Sequence, residues 1–151
     1  MAATLNWHLE QYDVKTAFLN GILLEEEVQY MEQPPGFIQP GSESHMWKLL
    51  RGLYRMRQSS QIWNWALHSS FLSWGFSRSE CEWCVYTCRS DNGDASIVII
   101  HMDDMLAASS NKTEANQFRS ELEATWQITD LGEPKLVVGI ALQHEVETKT
   151  I

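Results

Sequence analysis

The sequence predicts an α+β fold, an antiparallel sheet with helices packed on one face, and three observations lead to it. Residues 96–107 run from a β-branched stretch, Ile97 to Ile100, into Asp103 and Asp104 and out again through Met105, Leu106 and Ala107. That pattern is a strand, an acidic turn and a returning strand. Residues 59–74 and 111–126 carry apolar side chains at helical spacing. The resulting order is strand, helix, strands, helix and strand, read as an α+β sheet with helices on one side.

A chain of 151 residues, 44% apolar and 21% charged, suits one globular domain. No apolar run approaches the roughly 18 residues of a membrane span. The N-terminus also lacks a basic segment followed by a long apolar one, so an intracellular location without a membrane partner is expected. The formal charge of -9 is the wrong sign for gripping a nucleic-acid backbone by bulk electrostatics. Cys81, Cys84 and Cys88 are an odd number in one short segment, which argues against a disulfide framework. Cys81 and Cys84 have the spacing of half a zinc site, but a closed site wants four ligands and no second pair exists, so no zinc is expected.

Taken in order, residues 9–14 alternate loosely as a strand ending near Asp13, and a turn or short helix at residues 15–21 is closed by Asn20-Gly21. Glu25, Glu26 and Glu27 make a solvated face, and the Pro and Gly cluster after Gln33 is a loop. Lys48, Arg51, Arg55 and Arg57, four of the eleven basic residues, precede Ser59 and Ser60. Either serine can cap a helix through Trp63, Leu67 and Phe71 that Gly75 ends. Amides at that helix start beside arginines favour a phosphate, while the plainer reading is a buried helix with solvated arginines. Residues 83–88 form a further strand and residues 90–94 a hairpin loop. Asn111 with Glu114 resembles a capping box ahead of Ala115, Phe118, Leu122 and Trp126 on one helix face. Residues 130–134 break the pattern, and residues 136–142 make a last strand.

Asp103-Asp104 alone most simply makes a turn. Asp13 changes the weighing, because it too stands at a strand end. Two unit charges about 4 Å apart repel by roughly 4 kcal/mol at an effective dielectric near 20, so gathered carboxylates need a cation or a proton. A divalent metal is the natural candidate.

The motifs beginning Asp13-Val14-Lys15-Thr16-Ala17-Phe18-Leu19-Asn20-Gly21, followed by Gln33-Pro34-Pro35-Gly36-Phe37, Trp47-Lys48-Leu49, Gly52-Leu53-Tyr54, Gln58-Ser59 and Met102-Asp103-Asp104, resemble the reverse transcriptase of copia-type LTR retrotransposons. The resemblance runs through nearly the whole chain in the family's order, with a fungal flavour at residues 57–64 and 137–141. It implies a polymerase palm with a ferredoxin-like core, incomplete, in which Asp13, Asp103 and Asp104 are catalytic and hold two Mg²⁺, or Mn²⁺ in vitro. Val14 would lend a backbone carbonyl to a metal, Phe18 would crowd a ribose 2′-hydroxyl, Gln58 would touch the incoming nucleotide, and residues 136–142 would grip the primer. The implied reaction is RNA-directed DNA synthesis, nucleotidyl transfer from a deoxynucleoside triphosphate to a primer 3′-hydroxyl on an RNA or DNA template. The implied partners in a full-length polyprotein are integrase and ribonuclease H.

Against the family pattern, His101 replaces a usual Tyr or Val, Arg55 replaces a usual Gly, and the segments around Leu23-Leu24 and Val28-Gln29-Tyr30 are each one residue longer, which would slip a strand register. The resemblance covers the palm region, with the fingers truncated and the thumb and ribonuclease H domain absent. This places the basic surfaces for template and primer elsewhere and leaves activity of this chain alone as a separate matter. The competing expectation is a non-catalytic remnant or interaction domain that keeps the palm fold.

Overall fold

The computed structural model describes residues 2–142. In chain order the elements are α1 (Ala2–Leu5), β1 (His8–Val14), two 3-10 turns (Ala17–Asn20 and Glu25–Glu27), β2 (Gln29–Glu32), β3 (Met46–Leu49), α2 (Ser59–Ser73), β4 (Ser77–Arg78), β5 (Val85–Arg89), β6 (Ala95–His101), β7 (Asp104–Ser109), α3 (Lys112–Thr125), β8 (Ile128–Gly132), β9 (Leu136–Val137) and β10 (Ile140–Ala141). The chain divides into two compact units, residues 17–66 and the remainder.

The larger unit is built on a six-stranded sheet in the order β4-β5-β6-β7-β1-β8. Its pairings are all antiparallel. Period-two alternation sorts its side chains onto two faces. Tyr12, Met105 and Ile100 are cross-strand neighbours on one face, as are Ala107, Val98 and Tyr86, and all six are buried. Over that face lie α3 and the C-terminal half of α2. Phe118 of α3 meets Tyr12 edge-on at 6.0 Å and lies tilted against Phe71 of α2 at 5.7 Å, and Phe71 packs tilted at 4.6 Å from Tyr86. Several aromatic contacts of about 1 kcal/mol each, added to full burial of the rings, make this cluster the main anchor of helices to sheet.

Both helix ends have local causes. Asn111 accepts from the Glu114 N–H at 3.0 Å, satisfying one orphan amide of α3. The return half of a capping box is missing, because the Glu114 carboxylate instead accepts from Ser90 Oγ at 3.3 Å. After α2, Gly75 takes φ +83°, its N–H reaches the Leu72 carbonyl and the Phe76 N–H reaches the Phe71 carbonyl. This is the Schellman pattern, sealed by the Phe71–Phe76 ring contact at 5.3 Å.

Four expectations are corrected. The strand expected from residue 83 begins at Val85, since residues 79–85 form a loop closed by Ser79 N–H to the Val85 carbonyl. The expected break at residues 130–134 is partly strand: β8 pairs with β1, with a register shift at Gln11/Tyr12 and φ +69° at Gly132. The last strand is two strands of two residues, because Val138 and Gly139 both take positive φ and turn the chain back. Ser59 does not cap α2 by accepting. Its Oγ donates to the Leu53 carbonyl at 2.6 Å, and the first helical bond runs from Ile62 N–H to the Gln58 carbonyl.

The unit of residues 17–66 contains the β2–β3 hairpin, whose register from Gln29↔Leu49 to Glu32↔Met46 is uninterrupted. Its long connection is tied to Gln33, a buried side chain whose amide nitrogen donates to the Ser42 and His45 carbonyls and whose oxygen accepts from Gln39 N–H. Arg55, where the family pattern has glycine, sits at φ +72°, the left-handed region that a side chain resists.

Candidate active site

The face of the six-stranded sheet away from α2 and α3 carries the carboxylates. Asp13 is the register partner of Asp104, and Asp104 is in turn the partner of His101. The Val14 N–H donates to the Asp103 carbonyl at 2.9 Å. That bond makes 14/103 a hydrogen-bonded position, so 13/104 is the intervening non-hydrogen-bonded pair, where Cα atoms stand about 4.5 Å apart and side chains approach most closely.

Met102 and Asp103 form the two-residue turn between β6 and β7. Met102 alone of the two has positive φ, +57°, the II′ pattern suited to the strand twist. Immediately behind the turn, Ile100 and Met105 are buried, so the carboxylates stand at the end of a packed pair of strands.

Burial raises the Asp13 carboxyl above the usual carboxylate range, the Asp103 and Asp104 charges raise it further, and Lys15 pulls the other way. All three acids therefore share one electrostatic neighbourhood. Gln11, 7% exposed and on the same face as Asp13, brings its amide nitrogen to 3.5 Å from Asp104 Oδ1. Its spacing of two from Asp13 along a strand is the sequence signal that could have found it.

The donor set is carboxylate oxygen, which suits a hard divalent cation, and a cation relieves the like-charge pressure on Asp13. Among the described residues no group of three or more His, Cys, Asp or Glu side chains is placed to hold a metal ion. Magnesium commonly takes one or two carboxylates and completes its shell with water and substrate phosphate, so a partial carboxylate seat fits that ion.

The other expected site residues are placed as follows. Val14 adjoins the acids, its side chain buried in the core. Phe18 belongs to the unit of residues 17–66, where it meets Tyr54 edge-on at 4.9 Å. Gln58 stands in the same unit just ahead of α2. Gly52 lets these segments close up, since a Cβ there would lie 2.8 Å from the Phe18 carbonyl oxygen and 2.9 Å from Ser59 Oγ. Cys81 and Cys84 are exposed and Cys88 half-buried, all as free thiols. No described helix is long and apolar enough to cross a membrane.

Comparison with known proteins identifies the family of the chain. A family model described as "Reverse transcriptase (RNA-dependent DNA polymerase)" matches residues 1–151. The retrovirus-related Pol polyprotein from transposon TNT 1-94 of Nicotiana tabacum is 34% identical over 145 residues, 96% of this chain and 11% of the relative. A putative transposon Ty5-1 protein of Saccharomyces cerevisiae is 30% identical over 132 residues, 87% of this chain and 42% of the relative. The Pol polyprotein from transposon RE1 of Arabidopsis thaliana is 29% identical over 142 residues, 93% of this chain and 9% of the relative. The chain thus spans less than half the length of each of these curated relatives. It belongs to the reverse transcriptase family, in the copia-type branch represented by these transposon proteins.

Proposed function

We propose that this chain is the palm region of an RNA-directed DNA polymerase and that Asp13, Asp103 and Asp104 form its nucleotidyl-transfer centre. The observation that carries the reading is the pairing of Asp13 with Asp104 across adjacent strands, with Asp103 in the connecting turn. Two bound Mg²⁺ ions would neutralise the triphosphate and make the primer 3′-hydroxyl easier to deprotonate. The chain's own contribution is positioning. The β6–β7 turn and β1 hold three carboxylates at one strand margin, and the bond from Val14 N–H to the Asp103 carbonyl keeps the turn against β1.

In this reading Asp13 and Asp103 are the direct ligands, and Asp104 is the less direct one. The Val14 carbonyl is an additional ligand, Phe18 excludes a ribose 2′-hydroxyl, and Gln58 touches the nucleotide. The partners are a primed RNA or DNA template, deoxynucleoside triphosphates and, in the full-length protein, integrase and ribonuclease H segments, in an intracellular setting. Relatives in both plants and yeast are compatible with the fungal flavour of residues 57–64, which rests on sequence alone.

The test has two stages. Mn²⁺ titration of the chain against Asp103→Asn is expected to show a site that the variant loses. Primer extension on poly(rA)/oligo(dT) is then expected to give incorporation that the variant abolishes. Metal binding without incorporation above the variant's background retires the enzyme reading for this chain alone and favours the interaction-domain alternative.

A further inference from the structure

A recess of about 590 Å³ lies near the other end of β5 and β6, lined by side chains of the sheet face that bears the carboxylates together with Gly75, Cys88 and Ser96. Its floor is one cross-strand row, because Ser77 pairs with Thr87 and Thr87 with Ile97. Leu5 and Trp7 form an apolar wall, and Arg89 completes the rim. Ile97 is four residues from His101 along β6, about 13 Å at roughly 3.3 Å per residue, so the recess is separate from the Asp13–Asp104 pair.

Three features describe what would fill it. The volume lies in the range of small-molecule sites, roughly 300–1,000 Å³. The Arg89 guanidinium has no ion pair among the described residues, in a chain whose net charge is -9, and the Ser77 and Thr87 hydroxyls bond no other described protein group. Trp7 is among the lining residues, and an indole is a flat apolar group against which a ring can pack. A cation, two hydroxyls and an apolar wall lining one recess select a ligand with an anionic end and a planar body.

We propose that this recess binds a small aromatic anion, a planar ring bearing a sulfonate, carboxylate or phosphate. The proposal does not depend on polymerase activity. It is tested on the full chain in EDTA with 8-anilinonaphthalene-1-sulfonate and its neutral relative N-phenyl-1-naphthylamine, read by probe fluorescence and by Trp quenching. One sulfonate per chain is expected. Arg89→Gln is expected to weaken the sulfonate roughly tenfold while leaving the neutral probe within about twofold. Ile97→Trp, which fills the floor, is expected to abolish binding of both. Benzoate and adenosine monophosphate as competitors identify whether carboxylate or phosphate is the preferred anion. Sulfonate binding that Arg89→Gln leaves unchanged, or several probes per chain indifferent to Ile97→Trp, would mean scattered adsorption to apolar surface and overturn the proposal.

Discussion

Two hairpins in this chain turn through two residues and force a side chain into backbone space that favours glycine. At Met102-Asp103 the first turn residue has φ +57°, and at Val138-Gly139 the two have φ +50° and +77°. The settings differ. The first turn joins strands that pair over six positions, with β1 pairing β7 over six more, and buried Ile100 and Met105 lie just behind it. The second joins two strands of two residues that pair only with each other, with Leu136, Val138 and Ile140 exposed. Left-handed strain of about 1 kcal/mol is present in both. Only in the first does the surrounding packing over-determine the geometry, and that is the turn that carries carboxylates.

The contrast breaks most visibly in the core. Met105→Ala is expected to cost about 3 kcal/mol in urea unfolding, the usual loss for truncating a buried methionine, whereas Val137→Ala should cost under about 0.5 kcal/mol. Equal losses at the two positions would remove the distinction. Next in size is the strain itself. Met102→Gly is expected to gain up to about 1 kcal/mol, offset in part by the added freedom of the unfolded chain, while Val138→Gly should leave global stability nearly unmoved.

The smallest effect separates the hairpins by charge. The folded-state pKa of Asp13 is raised, so the native chain holds its proton more tightly than the unfolded chain does. This group therefore favours folding at low pH and loses that contribution as pH rises through its folded value. Asp13→Asn should accordingly match the wild type in acid and exceed it by about 0.5 kcal/mol at neutral pH, the scale of a like-charge cross-strand pair. Thermal melts across that range check the sign, and a variant that is less stable at neutral pH would contradict it.

Much of this arrangement was legible from residue pattern. The β-branched run into Asp103-Asp104 named its own hairpin, Asn111 marked the start of a helix and Gly75 the end of one, because each signal is local chemistry. The glycine expected at residue 55 was informative by its absence, since Arg55 does occupy left-handed backbone. Other elements were hidden because their cause is tertiary. β8 contains Asp130 and Gly132, which look like breakers, yet β1 supplies its pairing and Arg119 reaches Asp130 at 2.6 Å. β2 and β3 are separated by a Pro- and Gly-rich loop, and Gln33 ties that loop by bonds no periodicity announces. Gln11 was missed because a lone amide in a strand carries no chemical signature until its neighbour across the sheet is known.

The margins of the six-stranded sheet have a consequence for handling the protein. β4 is two residues long, and β8 meets its neighbour through an interrupted register that ends at a left-handed glycine. Fibril growth recruits a long, flat row of free amides and carbonyls, and neither border offers one. Association of copies across these two borders would have to begin on side-chain surfaces, where salt and mild detergent act, instead of through backbone templating that neither readily reverses.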